Sequence, residues 1–234
     1  MIKVIFLDID NTLLDFDAYV RESLRTGFER FNLPKYEPWM YNTFKSVNDK
    51  IWCELERKEI DFETLKATRF NRVFKELGFE CDGEAFESYF RAELNESTIP
   101  VDGAYELLSS LSDDYILCAA SNGPYEQQMH RLEKANMLHY FDYIFISGQI
   151  GHSKPSREFF DYAFDMINSD SEKTNAISPA ECIIIGDSLT SDIAGGHEYG
   201  MKTCFYSHHK IDTHDDRINY FVKELMQIPD IIKE

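Results

Sequence analysis

Eight polar residues fall at or just past the ends of apolar runs, and their types suit one kind of chemistry. Asp8, Asp10 and Thr12 sit in Asp8-Ile9-Asp10-Asn11-Thr12, directly after the apolar start of the chain. Ser121-Asn122-Gly123 follows a second apolar run and Lys154-Pro155 comes after a third. Gly186-Asp187-Ser188 follows a fourth, with Asp192 four residues beyond Ser188. Brought together, Asp8, Asp10, Asp187 and Asp192 would crowd carboxylates that cannot all stay ionised without a cation. Oxygen-only ligands select a hard ion, and Mg²⁺ is the common one beside a phosphate. A carboxylate is a weak nucleophile, yet it can attack phosphorus once a metal neutralises the approach. Lys154 would damp charge beside Asp8 and hold phosphoryl oxygens. Donors at Thr12, Ser121 and Asn122 would serve the remaining oxygens. Together these residues point to phosphoryl chemistry on a small phosphorylated metabolite.

Such groups meet only if the apolar runs are parallel strands, because ligand sites of open α/β sheets lie at the strands' carboxyl ends. Five runs read as buried strands: 3–7, 115–120, 143–147, 182–185 and 203–206. They are continuously apolar, as in a parallel sheet covered on both faces. Helical stripes lie between them. Ala104, Leu107, Leu108 and Leu111 follow the i, i+3, i+4, i+7 pattern, as do Phe160, Ala163, Phe164 and Ile167. Ser178-Pro179-Ala180-Glu181 is a capping-box sequence that predicts a single helical turn before the fourth strand. The alternation predicts an α/β fold with a doubly wound parallel sheet. Residues 15–97 break the pattern with four helical stripes, around Leu24–Phe31, Phe44–Ile51, Phe70–Leu77 and Phe86–Phe90, and no convincing strand. They predict a helical bundle inserted after the first strand, with 1–14 and 98–234 forming the sheet domain. The polar stretch 168–177 reads as an exposed loop, and His208 and His209, past the fifth strand, read as loop residues. In the bundle, Asn48 and Trp52 are candidates for touching the part of a substrate beyond its phosphate.

Composition narrows the partners. The 234 residues, 43% of them hydrophobic, suffice for a full core. No apolar run is long enough to span a membrane, and the first ten residues read as a strand rather than a signal peptide. A formal net charge of −18 disfavours nucleic-acid polymers and anionic lipid. The five cysteines are scattered, odd in number and without a CxxC pair, which predicts free thiols in a reducing cytoplasm. The oligomeric state has no signature in the sequence.

DIDNT after an apolar strand, then SN, then KP, then GDSLTSD closely resemble the four motifs of haloacid dehalogenase-like hydrolases, in family order. The inserted helices resemble that superfamily's small α-helical cap, so the resemblance spans nearly the whole chain. It implies that Asp8 is a nucleophile forming an aspartyl-phosphate. Asp10 would protonate the leaving alcohol and then deprotonate the hydrolytic water. The Asp8 and Asp187 side chains and the Asp10 backbone carbonyl would contact Mg²⁺. Asp192 would orient a water ligand or Lys154, and Ser121 and Lys154 would hold the phosphoryl group. The family's dehalogenases usually lack the second aspartate, so Asp10 argues for phosphoryl chemistry. Sugar phosphomutases related to β-phosphoglucomutase, and sugar phosphatases, share the motifs and stand as an alternative. SVNDKIW, SNGPYEQQMHRLEKANM and GDSLTSDIAGG are further similar to bacterial house-cleaning 5′-nucleotidases, which act on pyrimidine and deoxyribonucleoside monophosphates. A receiver-type signalling domain also uses acidic residues, Mg²⁺, a hydroxyl and a lysine. It is much shorter, has no helical insertion, and its acidic pair precedes the phosphorylated aspartate.

Overall fold

The computed structural model describes residues 1–169, 176–208 and 215–233. Within them the chain forms two compact units: Met1–Asp15 with Thr98–Glu234, and Phe16–Ser97.

The first unit is an α/β sandwich around a parallel sheet. Its strands are β1 (Val4–Leu7), β2 (Ile116–Ser121), β3 (Tyr143–Ile146), β4 (Cys182–Gly186), β5 (Lys202–Tyr206) and β6 (Tyr220–Val222). They run in the order β3-β2-β1-β4-β5-β6, every neighbouring pair parallel. Strand direction alternates the side chains of β1 between two cores. Ile5 and Leu7 join Leu107, Leu108, Leu132 and Ile228 on one face. Val4 and Phe6 join Phe159, Phe160, Phe164 and Ile184 on the other. With both faces covered, β1 is fully buried, which is why it reads as an unbroken apolar run. The order reverses around β1, so the crevice at the carboxyl ends of β1, β2 and β4 is the sheet's switch point.

The second unit is a bundle of α1 (Phe16–Arg30), α2 (Met40–Glu56), α3 (Phe62–Leu77) and α4 (Gly83–Glu96). Two of these begin at side-chain caps: Asp61 accepts from Thr64 N at 2.7 Å and Asp82 from Ala85 N at 3.0 Å. The core is aromatic, built on Phe28, Phe44, Phe70, Phe74, Phe86 and Phe90. Inside it Arg69 makes a two-pronged ion pair with Glu87, at 2.9 and 2.6 Å, both side chains only 3% exposed. The guanidinium also lies 4.7 Å from the Phe90 ring centroid. Removing one partner of such a pair strands a charge in an apolar core. Glu87→Ala is expected to destabilise the bundle by about 3–5 kcal/mol, read from urea unfolding. A loss under about 1 kcal/mol would show that water reaches Arg69 and replaces the carboxylate.

The remaining helices belong to the first unit: α5 (Ala104–Leu111), α6 (Tyr125–Lys134), α7 (Ser147–Ile150), α8 (Arg157–Ser169), α9 (Ala194–Tyr199) and α10 (Ile228–Lys233). The capping-box turn is present at Pro179–Glu181, with Ser178 N donating to Glu181 Oε2 at 3.0 Å. Strand β6 and helix α6 are among the elements that escaped the sequence reading. Strand β6 is three residues at the sheet edge, with Phe221 40% exposed, too short and too wet for an apolar run. Helix α6 is strongly polar and buries Gln127, Gln128 and Arg131 alongside Leu132, so its inner face does not look apolar. Residues 170–175 of the expected 168–177 loop, and His209, lie outside the described residues. Among the described residues no helix is long and apolar enough to cross a membrane. The five cysteines are unpaired, and burial pushes the Cys182 and Cys204 thiols up to about 12.

Candidate active site

β1 delivers Asp8 at its carboxyl end, where the Asp8 backbone N–H still pairs with Ile185 O on β4 at 2.9 Å. The chain then turns sharply. Leu13 N and Leu14 N both donate to Ile9 O at 2.9 Å, and Asn11 takes a left-handed φ of 59°, which asparagine tolerates. The turn leaves the Asp8 and Asp10 side chains beside different partners.

Asp8 is 8% exposed and accepts from Lys154 Nζ at 2.8 Å. The same ammonium donates to Asp192 Oδ1 at 2.6 Å and to the Ala120 carbonyl, which uses its three N–H groups. Burial disfavours the Lys154 charge, but Asp192 and Asp8 outweigh it and push the group above its ordinary value. Burial pushes the Asp8 carboxyl up to about 7; Lys154 pulls it down, and Asp192 and Asp10 add to the rise. Asp192 is fully buried. It reaches this position because β4 leads into a wide i→i+5 turn at Leu189–Ile193, in which Ile193 N bonds Ser188 O at 3.1 Å. Its Oδ2 accepts from Ser188 N at 3.1 Å. Gly186 makes room for it, since a Cβ there would stand 2.1 Å from Asp192 Oδ2.

Asp10 has its own partners on α6. Arg131 Nη1 donates to Oδ1 at 2.6 Å and Gln128 Nε2 to Oδ2 at 2.8 Å. Gln128 Nε2 also donates to Ser121 Oγ at 2.7 Å, and its Oε1 accepts from Arg131 at 2.9 Å. The sequence reading missed Gln128 and Arg131. Both stand in the segment after the Ser-Asn motif, three residues apart, and that helical spacing was the available signal.

Other expected groups sit differently. Asn122 was expected to serve phosphoryl oxygens. Its side chain instead clasps the backbone of Lys154, accepting from Lys154 N at 2.8 Å and donating to Lys154 O at 2.7 Å. This clasp locates the lysine loop and uses one of the two amide N–H groups. The Thr12 hydroxyl is wholly buried and has no hydrogen-bond partner among the described residues. A phosphoryl oxygen outside the turn cannot reach it in this arrangement. In the helical unit Asn48 is 9% exposed and its Oδ1 accepts from Arg69 at 3.1 Å, so it belongs to the buried polar network of the bundle. Trp52, one turn along α2, is half-buried, its ring centroid 6.4 Å from that of Phe62.

One carboxylate oxygen from each of Asp8, Asp187 and Asp192 lies within 4.8 Å of the others. This all-oxygen set, with a carboxyl raised by burial and like charge, fits a hard divalent cation such as Mg²⁺.

The sequence profile of haloacid dehalogenase-like hydrolases matches residues 2–200. The HAD-hydrolase YfnB of Bacillus subtilis is 34% identical over 203 residues, covering 87% of this chain and 83% of that one. A crystal structure of YfnB bound to magnesium superimposes with a TM-score of 0.87 at 31% identity, covering 100% of this chain and 99% of the other. The pyrimidine 5′-nucleotidase PynA of Streptococcus pneumoniae is 34% identical over 213 residues, 91% of this chain and 86% of its own. The pyrimidine 5′-nucleotidase YjjG of Escherichia coli is 28% identical over 208 residues, 88% and 86% of the two chains. On this evidence the chain belongs to the haloacid dehalogenase-like hydrolase family.

Proposed function

We propose that this hydrolase is a Mg²⁺-dependent phosphomonoesterase that works through phospho-Asp8 and acts on nucleoside monophosphates. The observation that carries the catalytic reading is the division of labour between two aspartates two residues apart. Asp8 is buried against Lys154 among carboxylates, while Asp10 is 34% exposed and held from α6. When bound, Mg²⁺ would be held by Asp8, Asp187 and the Asp10 backbone carbonyl, and would neutralise the approach of one anion to another. An Asp8 oxygen attacks phosphorus, and the ester P–O bond breaks with its electron pair leaving on the alcohol oxygen. Asp10 protonates that oxygen. Asp10, now a carboxylate, takes a proton from water as the water oxygen attacks the phosphorus of phospho-Asp8. The P–O bond to Asp8 breaks, freeing inorganic phosphate and the Asp8 carboxylate. The Ser121 hydroxyl holds a phosphoryl oxygen, Lys154 lends its positive charge beside Asp8, and Asp192 keeps Lys154 charged and in place.

The nucleotide reading is supported by PynA and YjjG, both pyrimidine 5′-nucleotidases. In the helical unit Trp52 is the proposed contact to the base, an aromatic face for stacking. A stacked base is worth about 1–3 kcal/mol by analogy with single-strand binding. Nucleoside monophosphates are therefore expected to exceed sugar phosphates of similar size in kcat/KM by about tenfold or more. A folded Trp52→Ala enzyme is expected to lose that preference while keeping its activity on p-nitrophenyl phosphate. A screen in which hexose phosphates surpass every nucleotide would remove the nucleotide reading and leave the phosphatase one.

A further inference from the structure

We infer that Gln128 and Arg131 are positioning residues that hold the Asp10 carboxylate and the Ser121 hydroxyl in fixed mutual register. The inference rests on the proposed acid/base role of Asp10.

Both side chains are nearly inaccessible: Arg131 and Gln128 are each 1% exposed. Polar groups buried this deeply are costly unless paired, and packing alone would be served by apolar side chains of similar volume. What they accomplish is directional. Each Asp10 oxygen receives its own donor, Oδ1 from Arg131 at 2.6 Å and Oδ2 from Gln128 at 2.8 Å. The Gln128 amide has one workable orientation. Its oxygen accepts from the Arg131 guanidinium at 2.9 Å, so its NH₂ must face Asp10 and Ser121. A flipped amide would set NH₂ against a donor and oxygen against a carboxylate.

The same amide orders Ser121. The serine oxygen accepts from Gln128 Nε2 at 2.7 Å and from Gly123 N at 3.2 Å. With both lone pairs occupied, its hydroxyl proton is left to donate elsewhere, as a group holding a phosphoryl oxygen requires. Gly123 completes the arrangement, because a Cβ there would stand 2.8 Å from Gln128 Nε2 and 2.9 Å from its Cγ. One amide thus joins the group that moves the proton to a group that grips the phosphoryl. The cost of losing it should fall most heavily where protonation of the leaving group matters.

The test compares wild type, Asp10→Asn, Gln128→Met and Arg131→Lys by rapid-quench measurement of phospho-Asp8 formation. The substrates are a pyrimidine nucleoside monophosphate and p-nitrophenyl phosphate, whose nitrophenolate departs without a proton. Gln128→Met is expected to slow both reactions severalfold through Ser121, and the nucleotide reaction by a further factor of about 10 or more, part of the 10²–10⁴ typical of acid catalysis. Arg131→Lys keeps a cation that can donate to one oxygen, so it is expected to show the same selectivity with a smaller loss. Circular dichroism identifies which variants fold, and Arg131→Lys carries the test should Gln128→Met not fold. Equal losses for both esters, or no loss for either, overturn the inference. If Asp10→Asn distinguishes the esters and the α6 variants do not, only the inference fails. If Asp10→Asn itself does not distinguish them, the acid role falls and the inference with it.

Discussion

Asp8→Asn is expected to abolish turnover, with a loss on the order of 10⁶, the scale seen when an enzyme loses its covalent nucleophile. An amide nitrogen or oxygen does not displace an alkoxide from phosphorus under these conditions, so no residual route runs through residue 8. The fold should survive. The introduced amide oxygen can still accept from Lys154, and the Lys154–Asp192 pair at 2.6 Å is untouched. Burial holds the Asp8 carboxyl up at about 7, with Asp192 and Asp10 adding to the rise and Lys154 opposing it, so the native protein carries this group at a cost. Replacing it with a neutral amide removes that crowding. The variant's thermal midpoint is expected to equal or exceed that of wild type, as happens where a site trades stability for chemistry. Mass spectrometry must confirm the substitution, because deamidation would restore the nucleophile. Full steady-state activity in a verified preparation would sink the assignment.

Chelation is the second large effect. EDTA is expected to bring phosphatase activity to background, and Mg²⁺ to restore it, because the Asp8, Asp187 and Asp192 carboxylates otherwise repel a phosphate dianion. Binding to the folded state alone should also stabilise it, by about 2.7 kcal/mol at a hundredfold excess over Kd. Calorimetric titration and thermal unfolding in the absence of substrate read this separately from turnover. Asp187→Ala is expected to weaken Mg²⁺ binding and shrink that stabilisation, and to raise the Mg²⁺ concentration needed for activity. Undiminished activity in chelator would refute the metal requirement.

Much of this protein is legible in its sequence. β1 is buried on both faces, so its four residues are all apolar, and an ionisable group at its end could only be exceptional. Lys154, Asp187 and Asp192 follow other apolar runs in the same way, and parallel strands gather such ends at one edge. The helical stripes of residues 16–97 were readable because their cores are aromatic and periodic. The edge strand β6 was not, since three residues, with only Val222 buried, carry no period.

The sequence by itself thus determined the parallel sheet, the inserted helices and the edge at which the acidic groups gather. These follow from local burial, which leaves its mark residue by residue. Only the tertiary structure decided which polar group faces which. Asn122, expected to meet phosphate, grips the Lys154 backbone 32 residues away. Arg131 lies 121 residues from Asp10 in the chain and 2.6 Å from it in space. A buried polar side chain is paired by whatever donor or acceptor the fold brings within about 3 Å, and residue type alone carries no record of that partner.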